Sequence, residues 1–302
     1  MKVTVDLDAL VAEGKISFDD AEKMRAHAGR ETVSTALSAL VTFGVLAVVA
    51  ATLVLLHSAA MTLVVGTAIF AVGYVSRGLD DAGWGALRQT LIVVGVLLAA
   101  AAHLTLMKFT TMSWLIAAAG LLGVALATGS GLVGVLAALA IGPLLNAAFG
   151  YFHATYYVMI QRPLETIALY GVLAWLAFKT SQRVPDAQSR PLITYSRTCL
   201  FLAQFGFWVG SLWGDPVRLG APGSERIPPG AFALGWAVAM LMVGSWAARE
   251  GRRWVVNLCV VFGMINFYTQ WFEHLHTSAG TVLMAGVITL AVGVALRKYN
   301  QS

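Results

Sequence analysis

The chain has 302 residues, of which 58% are apolar and only 12% charged, and its mean hydropathy is +0.76. Soluble domains carry roughly 25% charged residues, so this composition excludes an ordinary soluble domain and points to a polytopic membrane protein. The formal net charge of +5 does not indicate nucleic-acid binding, because the basic residues cluster at the ends of apolar runs, where they orient helices.

Residues 1–33 read as a small cytoplasmic helical hairpin. Asp6 caps a first helix through Glu13, Gly14 ends it, and Ser17 with Asp20 forms a capping pattern for a second helix ending near His27. Leu10, Val11, Ile16, Phe18, Ala21 and Met24 are the apolar positions that pack the two together. So small a unit leans on the membrane or on a protein partner for stability. The opening 30 residues are polar and the first apolar run exceeds a signal-peptide core, so that run is expected to be an uncleaved anchor.

Residues 34–298 read as a transmembrane domain of about ten helices, near 34–56, 59–76, 87–107, 111–128, 131–152, 163–179, 193–213, 230–248, 253–273 and 277–296; nine is the alternative count. Each run approaches the ~20 residues that a helix needs to cross a ~30 Å hydrocarbon core. Ten-residue alternating segments are absent, which excludes a barrel, so the expected fold class is all-α, a polytopic helix bundle. Gly142-Pro143 is expected to kink the fifth span. The loops at 180–192 and 214–229 are polar or rich in Gly and Pro and read as connectors.

With ten spans and a cytoplasmic N-terminus, sixteen of the twenty Lys and Arg residues fall on the inner side; only Lys108, Arg162, Arg218 and Arg226 fall outside. That asymmetry satisfies the positive-inside rule and predicts a bacterial inner-membrane protein with both termini in the cytoplasm.

The same topology gathers polar groups on the outer face. In the stretch Asn257–Ser278, Asn266, Gln270, Glu273 and Thr277 share one helical stripe. His57, His103, His153, His274 and His276 all fall at that face, as do Arg162 and Glu165. His, Tyr and Trp are also comfortable at a membrane interface for purely structural reasons, and Arg162 and Glu165, at i and i+3, are placed to pair with each other. Carboxylates and amides within spans need partners in the bundle, so Asn146, His153, Arg162, Glu165, Asn266, Gln270 and Glu273 form the candidate ligand set. Glu273 leads it, because its own helix offers amides but no cation. The five outer histidines form a candidate metal or haem set, with His103 and His153 the pair for a bis-histidine haem. His274 and His276 point ~200° apart on a helix, so joint metal binding requires a turn there.

Near the expected midplane lie Gly142-Pro143, Asn146 and Gln204 but no ionisable residue, which argues against a proton-coupled pump. Cys199 and Cys259 lack the spacing of a zinc or redox pair. No nucleophile elbow, phosphate-binding glycine loop or zinc-protease motif occurs, so nothing points to an enzyme and no particular cofactor is implied. Gly120-x-x-Gly123 and Gly131-x-x-Gly134 are candidate close-packing sites.

The segment LVAEGKISFDDAEKMRAH, with Leu10, Gly14, Ile16, Ser17, Asp20, Ala21 and Glu22, resembles the start of the bacterial membrane-protein family called domain of unknown function 2157. FYTQWFEHL, Phe267 to Leu275, and the basic Arg297-Lys298 tail resemble its aromatic segment and C-terminus. That family often has an arginine and an aromatic after the Tyr-Thr pair, where this chain has Gln270 and Trp271. The resemblance implies the architecture and no activity. The leading expectation is therefore binding or transport of a small polar solute in an outward-facing pocket. The alternatives are a metal or haem redox protein using the outer histidines, and an assembly partner docking through the N-terminal hairpin.

Overall fold

The computed structural model describes residues 58–76, 85–152, 155–215, 227–274 and 278–301, with 10–11, 14–22, 44 and 47 nearer the start. Within 14–22 the local signals hold. Gly14 has φ of 68°, and the N–H groups of Gly14 and Lys15 reach back 3.0 Å to the carbonyls of Val11 and Leu10, closing a helix end. Ser17 Oγ accepts the Asp20 N–H at 3.1 Å, opening the next helix. Asp6, Glu13, Met24, His27 and nearly all of the expected first span, 34–56, lie outside the described residues.

The chain divides into two compact units, Met1–Ser113 and Trp114–Ser302. In the first, α1 (Ala59–Val75) and α2 (Gly85–Leu106) pack side by side. Ser58 caps α1, its Oγ accepting the Met61 N–H. The two backbones approach through glycine: a Cβ on Gly95 would lie 2.4 Å from the Phe70 nitrogen, and one on Gly66 would lie 2.7 Å from the Ala99 nitrogen. Small residues of this kind allow van der Waals packing where no hydrophobic force separates helix from lipid.

Most of α3 (Thr111–Thr128) belongs to the second unit. Ser130 then caps α4 (Gly131–Leu139), accepting the Val133 N–H at 3.3 Å. The expected fifth span, 131–152, is not one helix: α4 stops after nine residues, and a 3-10 turn over Gly142–Leu145 leads into an antiparallel hairpin. Pro143 has no N–H to continue the helix, and Asn146 turns the chain with φ of 51°. The aromatic and β-branched run that follows suits strands. β1 (Ala147–Phe152) pairs with β2 (Thr155–Ile160) from Ala147↔Ile160 to Phe152↔Thr155. Gly142-Pro143 thus terminates a helix rather than kinking one, and the helical architecture of the described residues carries one β-hairpin.

Five more helices follow: α5 (Pro163–Ser181), α6 (Asp186–Trp213), α7 (Pro229–Arg249), α8 (Arg253–His274) and α9 (Ala279–Gln301). α6 begins seven residues before the expected span at 193, and it is the hub, packing against α4, α5, α7 and α8. Gly134 lets α4 close on α6, since a Cβ there would meet the Pro191 carbonyl oxygen at 3.0 Å; Gly120 and Gly123 have open space beside them. Polar side chains cross between helices at defined points. Tyr170 Oη donates to the Ala138 carbonyl at 3.0 Å, Ser196 Oγ to the Ala174 carbonyl at 2.7 Å, and Trp236 Nε1 to Gln204 Oε1 at 2.6 Å. Where no water competes, such bonds fix helix register. Around Trp236 an apolar cluster of Met240, Cys259 and Phe262 joins α7 to α8, flanked by Phe205 and Trp208 of α6.

Among the described residues, five helices are long and apolar enough to cross a membrane: Leu87–Leu106, Thr111–Thr128, Pro229–Arg249, Arg253–His274 and Ala279–Gln301. At 1.5 Å per residue, twenty residues span ~30 Å. Their exposed apolar faces, such as Leu234, Leu241 and Met242 on α7 and Leu283, Val287 and Leu290 on α9, fit a helical membrane protein.

Candidate functional site

The two helices that carry the expected polar stripe form a groove. α7 and α8 are antiparallel neighbours joined by a turn in which Gly251 takes φ of 64°. Along their shared face α7 presents Gly230, Ala233, Ala237 and Gly244, while α8 contributes Gly263. These small residues leave unfilled the volume that larger side chains would occupy, and the result is a groove of about 1020 Å³.

α9 does not close it. This helix is tied to α8 at two places. Tyr268 Oη bonds the Ala285 carbonyl at 3.3 Å and also Thr289 Oγ1; at the other end Asn300 Nδ2 donates to Asn257 Oδ1 at 3.0 Å and Arg253 Nη1 donates to the Asn300 carbonyl at 2.8 Å. Between these ties α9 gives the groove only Val292, and Ala285, at the first tie, is its one buried residue.

The groove is apolar along most of its length and polar at one end. Leu234, Met240, Leu241, Val256, Val260 and Met264 line its body. Asn266, Gln270, Trp271 and His274 line the end nearest the C-terminus of α8. Asn266 is anchored by Nδ2, which donates to the Ala233 carbonyl at 3.2 Å, and its Oδ1 is buried without a partner among the described residues. Gln270 Nε2 and Trp271 Nε1 are likewise buried and unpartnered. Each such group forfeits the hydrogen bond it would make in water, at a cost of about 1–3 kcal/mol, and buried polar groups in folded proteins are almost always satisfied. One acceptor and two donors therefore stand together at the end of an apolar trough. Among the described residues no Asp, Glu, Lys or Arg lines it.

The expected ligand residues divide accordingly. Asn266 and Gln270 come together in the groove. Glu273 is exposed and does not line it: three residues along a helix amount to ~60° of backward rotation from Gln270, which carries Glu273 past the groove edge. Arg162 and Glu165 pair with each other at 3.1 Å, both more than half exposed. Asn146 is an exposed turn residue. His153 lies outside the described residues, as do His57 and His276. Of the histidine set, His103 belongs to the first unit and His274 to the second, where its Nδ1 lies 3.0 Å from the Gln270 carbonyl oxygen. Among the described residues no three of His, Cys, Asp and Glu gather as a metal ion requires.

Two features of this unit escape a reading of the sequence alone. The small residues of α7 recur with helical spacing, and that recurrence is the signal that marks the groove. Asp215, in a loop, is 3% exposed and accepts the Leu164 N–H at 2.7 Å, capping the first turn of α5 from a distance of 51 residues. No family model, curated protein or solved structure matches the chain.

Proposed function

We propose that this chain is a multi-pass inner-membrane protein whose α7–α8 groove binds a neutral amphiphile, its polar group held by Asn266, Gln270 and Trp271 and its apolar body lying along Leu234, Met240 and Val260. The observation that carries this reading is the coincidence of three unpartnered buried polar atoms with the end of an apolar groove. The expected small polar solute is thereby narrowed. A wholly polar molecule would leave the groove body unfilled, and an ion would find no opposite formal charge in the lining. An alcohol, amide or carbonyl compound with a hydrocarbon portion matches both ends.

The wider proposal keeps ten crossings, the fifth made by α4 and the 3-10 turn after it rather than by one long helix, with the cytoplasmic N-terminal hairpin and both termini inside, on the strength of the distribution of Lys and Arg. In that orientation the polar end of the groove opens at the outer leaflet and α9 stands as a loosely packed wall toward lipid. The resemblance to the domain of unknown function 2157 family supports this architecture and adds no activity.

The test is mass spectrometry of organic extracts from the purified full-length protein and from Gln270→Leu and Trp271→Phe variants. A neutral amphiphile recovered near one per chain from the parent, and depleted at least about tenfold in both variants, is the expected result. Equal recovery from all three overturns the reading. Depletion by Glu273→Ala with retention in Gln270→Leu would instead return the site to the carboxylate face of α8.

A further inference from the structure

At the opposite end of the same helices lies a second cleft, of about 710 Å³, to which α5, α6, α7 and α8 all contribute. Among the described residues its lining holds three guanidiniums, Arg197, Arg252 and Arg253, against a single carboxylate, Glu250. None of the four makes an ion pair among the described residues. Arg253 is engaged elsewhere through its bond to the Asn300 carbonyl. Arg197 and Arg252 are instead laid on aromatic faces: the Arg197 guanidinium carbon is 5.1 Å from the Trp254 ring centre, and that of Arg252 is 4.6 Å from Phe178 and 5.8 Å from Trp246.

Aromatic faces hold a guanidinium in place while using none of its N–H donors. Arg252 is half-buried and its Nε is buried without a hydrogen-bond partner among the described residues. The arrangement is thus a pair of oriented, charge-bearing forks around a cavity, neither of them hydrogen-bonded through its side chain among the described residues. Planar donor forks of this kind recognise phosphate oxygens through paired charge-assisted hydrogen bonds, and basic pockets between helices near the cytoplasmic surface are where phospholipid head groups bind.

We propose that the Arg197–Arg252 cleft is a binding site for a phosphate-bearing anion, with Trp254, Phe178 and Trp246 positioning the two guanidiniums. It is independent of the amphiphile groove, which neither arginine lines. In the proposed orientation it opens at the cytoplasmic leaflet, where the phosphate would come either from an anionic lipid head group or from a soluble phosphate.

Full-length protein in detergent is titrated with phosphatidylglycerol, phosphatidylcholine and inorganic phosphate, and binding is read by native mass spectrometry and by thermal unfolding. Arg197→Gln and Arg252→Gln are each expected to weaken phosphatidylglycerol binding roughly tenfold or more, as loss of a charge-assisted bond implies. Arg249→Gln removes the same charge nearby but outside the cleft lining, and should leave binding within about twofold. Arg197 is exposed, so its variant decides the matter where Arg252→Gln fails to fold. Phosphatidylglycerol binding that millimolar phosphate does not displace identifies a lipid site; displacement by phosphate identifies a soluble anion. Binding of phosphatidylglycerol no tighter than phosphatidylcholine, or equal losses in Arg249→Gln and Arg197→Gln, overturns the proposal.

Discussion

Two carboxylates near the start of α5 show how burial, rather than charge, decides what a residue contributes. Glu165 meets Arg162 at 3.1 Å with both side chains more than half exposed, an arrangement generally worth ~0–1 kcal/mol. Asp215, almost fully buried, accepts a helix N-terminal N–H at 2.7 Å, and loss of such a cap costs about 0.5–2 kcal/mol. Asp215→Ala is therefore expected to lower the unfolding temperature of the detergent-solubilised protein clearly, while Glu165→Ala leaves it nearly unchanged. Thermal unfolding of the two variants side by side checks the ranking, and an equal loss in both would show that the cap contributes nothing special. In sequence the pair looked the other way round: Arg162 and Glu165 sit at helical spacing and invite attention, whereas nothing in a Gly-Asp-Pro loop step reveals a cap 51 residues distant.

At the scale of elements, periodicity located the helices but not every interruption. α7 and α8 begin and end close to expectation, because prolines, glycines and basic ends punctuate long apolar runs there, while α9 runs on to Gln301, past the expected end at 296. The segment 131–152 defeated the same logic. Its composition is apolar throughout, yet Pro143 and the αL turn at Asn146 divert it into the β1–β2 hairpin, whose pairing with residues beyond the run no local window contains. The α1–α2 pair makes the complementary point, since a glycine at position 95 is unremarkable in an apolar run and decisive at a crossing. With Phe70 backbone 2.4 Å from where a Cβ would stand, Gly95→Ala must push the helices apart, at a cost of about 1–3 kcal/mol. Gly85→Ala, on the same helix with open space beside it, should cost far less. The difference in unfolding temperature between these two variants measures the close approach itself.

For the molecule as a whole, the five long apolar helices and the distribution of basic residues carry the membrane reading. Single cysteines introduced at Arg183 and Ser224, in a chain with Cys199 and Cys259 replaced by alanine, test its orientation. A membrane-impermeant maleimide is expected to label position 224 in intact cells and position 183 only after permeabilisation; the reverse pattern inverts the topology and would place the arginine cleft outside. The two ends of the α7–α8 pair differ in kind whichever way they face. One end offers neutral hydrogen-bonding groups above an apolar trough, the other offers guanidiniums on aromatic faces.

The stripe of Asn266, Gln270 and Glu273 was legible from spacing alone, since helical rotation puts the three within ~60° of one another. So were the membrane character, from composition, and the ends of α7 and α8, from prolines, glycines and basic residues; each depends on properties of residues close together in the chain. Which edge of that stripe matters depended on something remote: the small residues of α7 share a groove with Gln270 and Trp271 and not with Glu273. The arginine cleft likewise exists only once α5, α6, α7 and α8 bring Phe178, Arg197, Trp246 and Arg252 to one place. Sequence determines which groups each helix presents around its axis; packing between helices decides which are covered, which are left without partners, and hence where a ligand has something to gain.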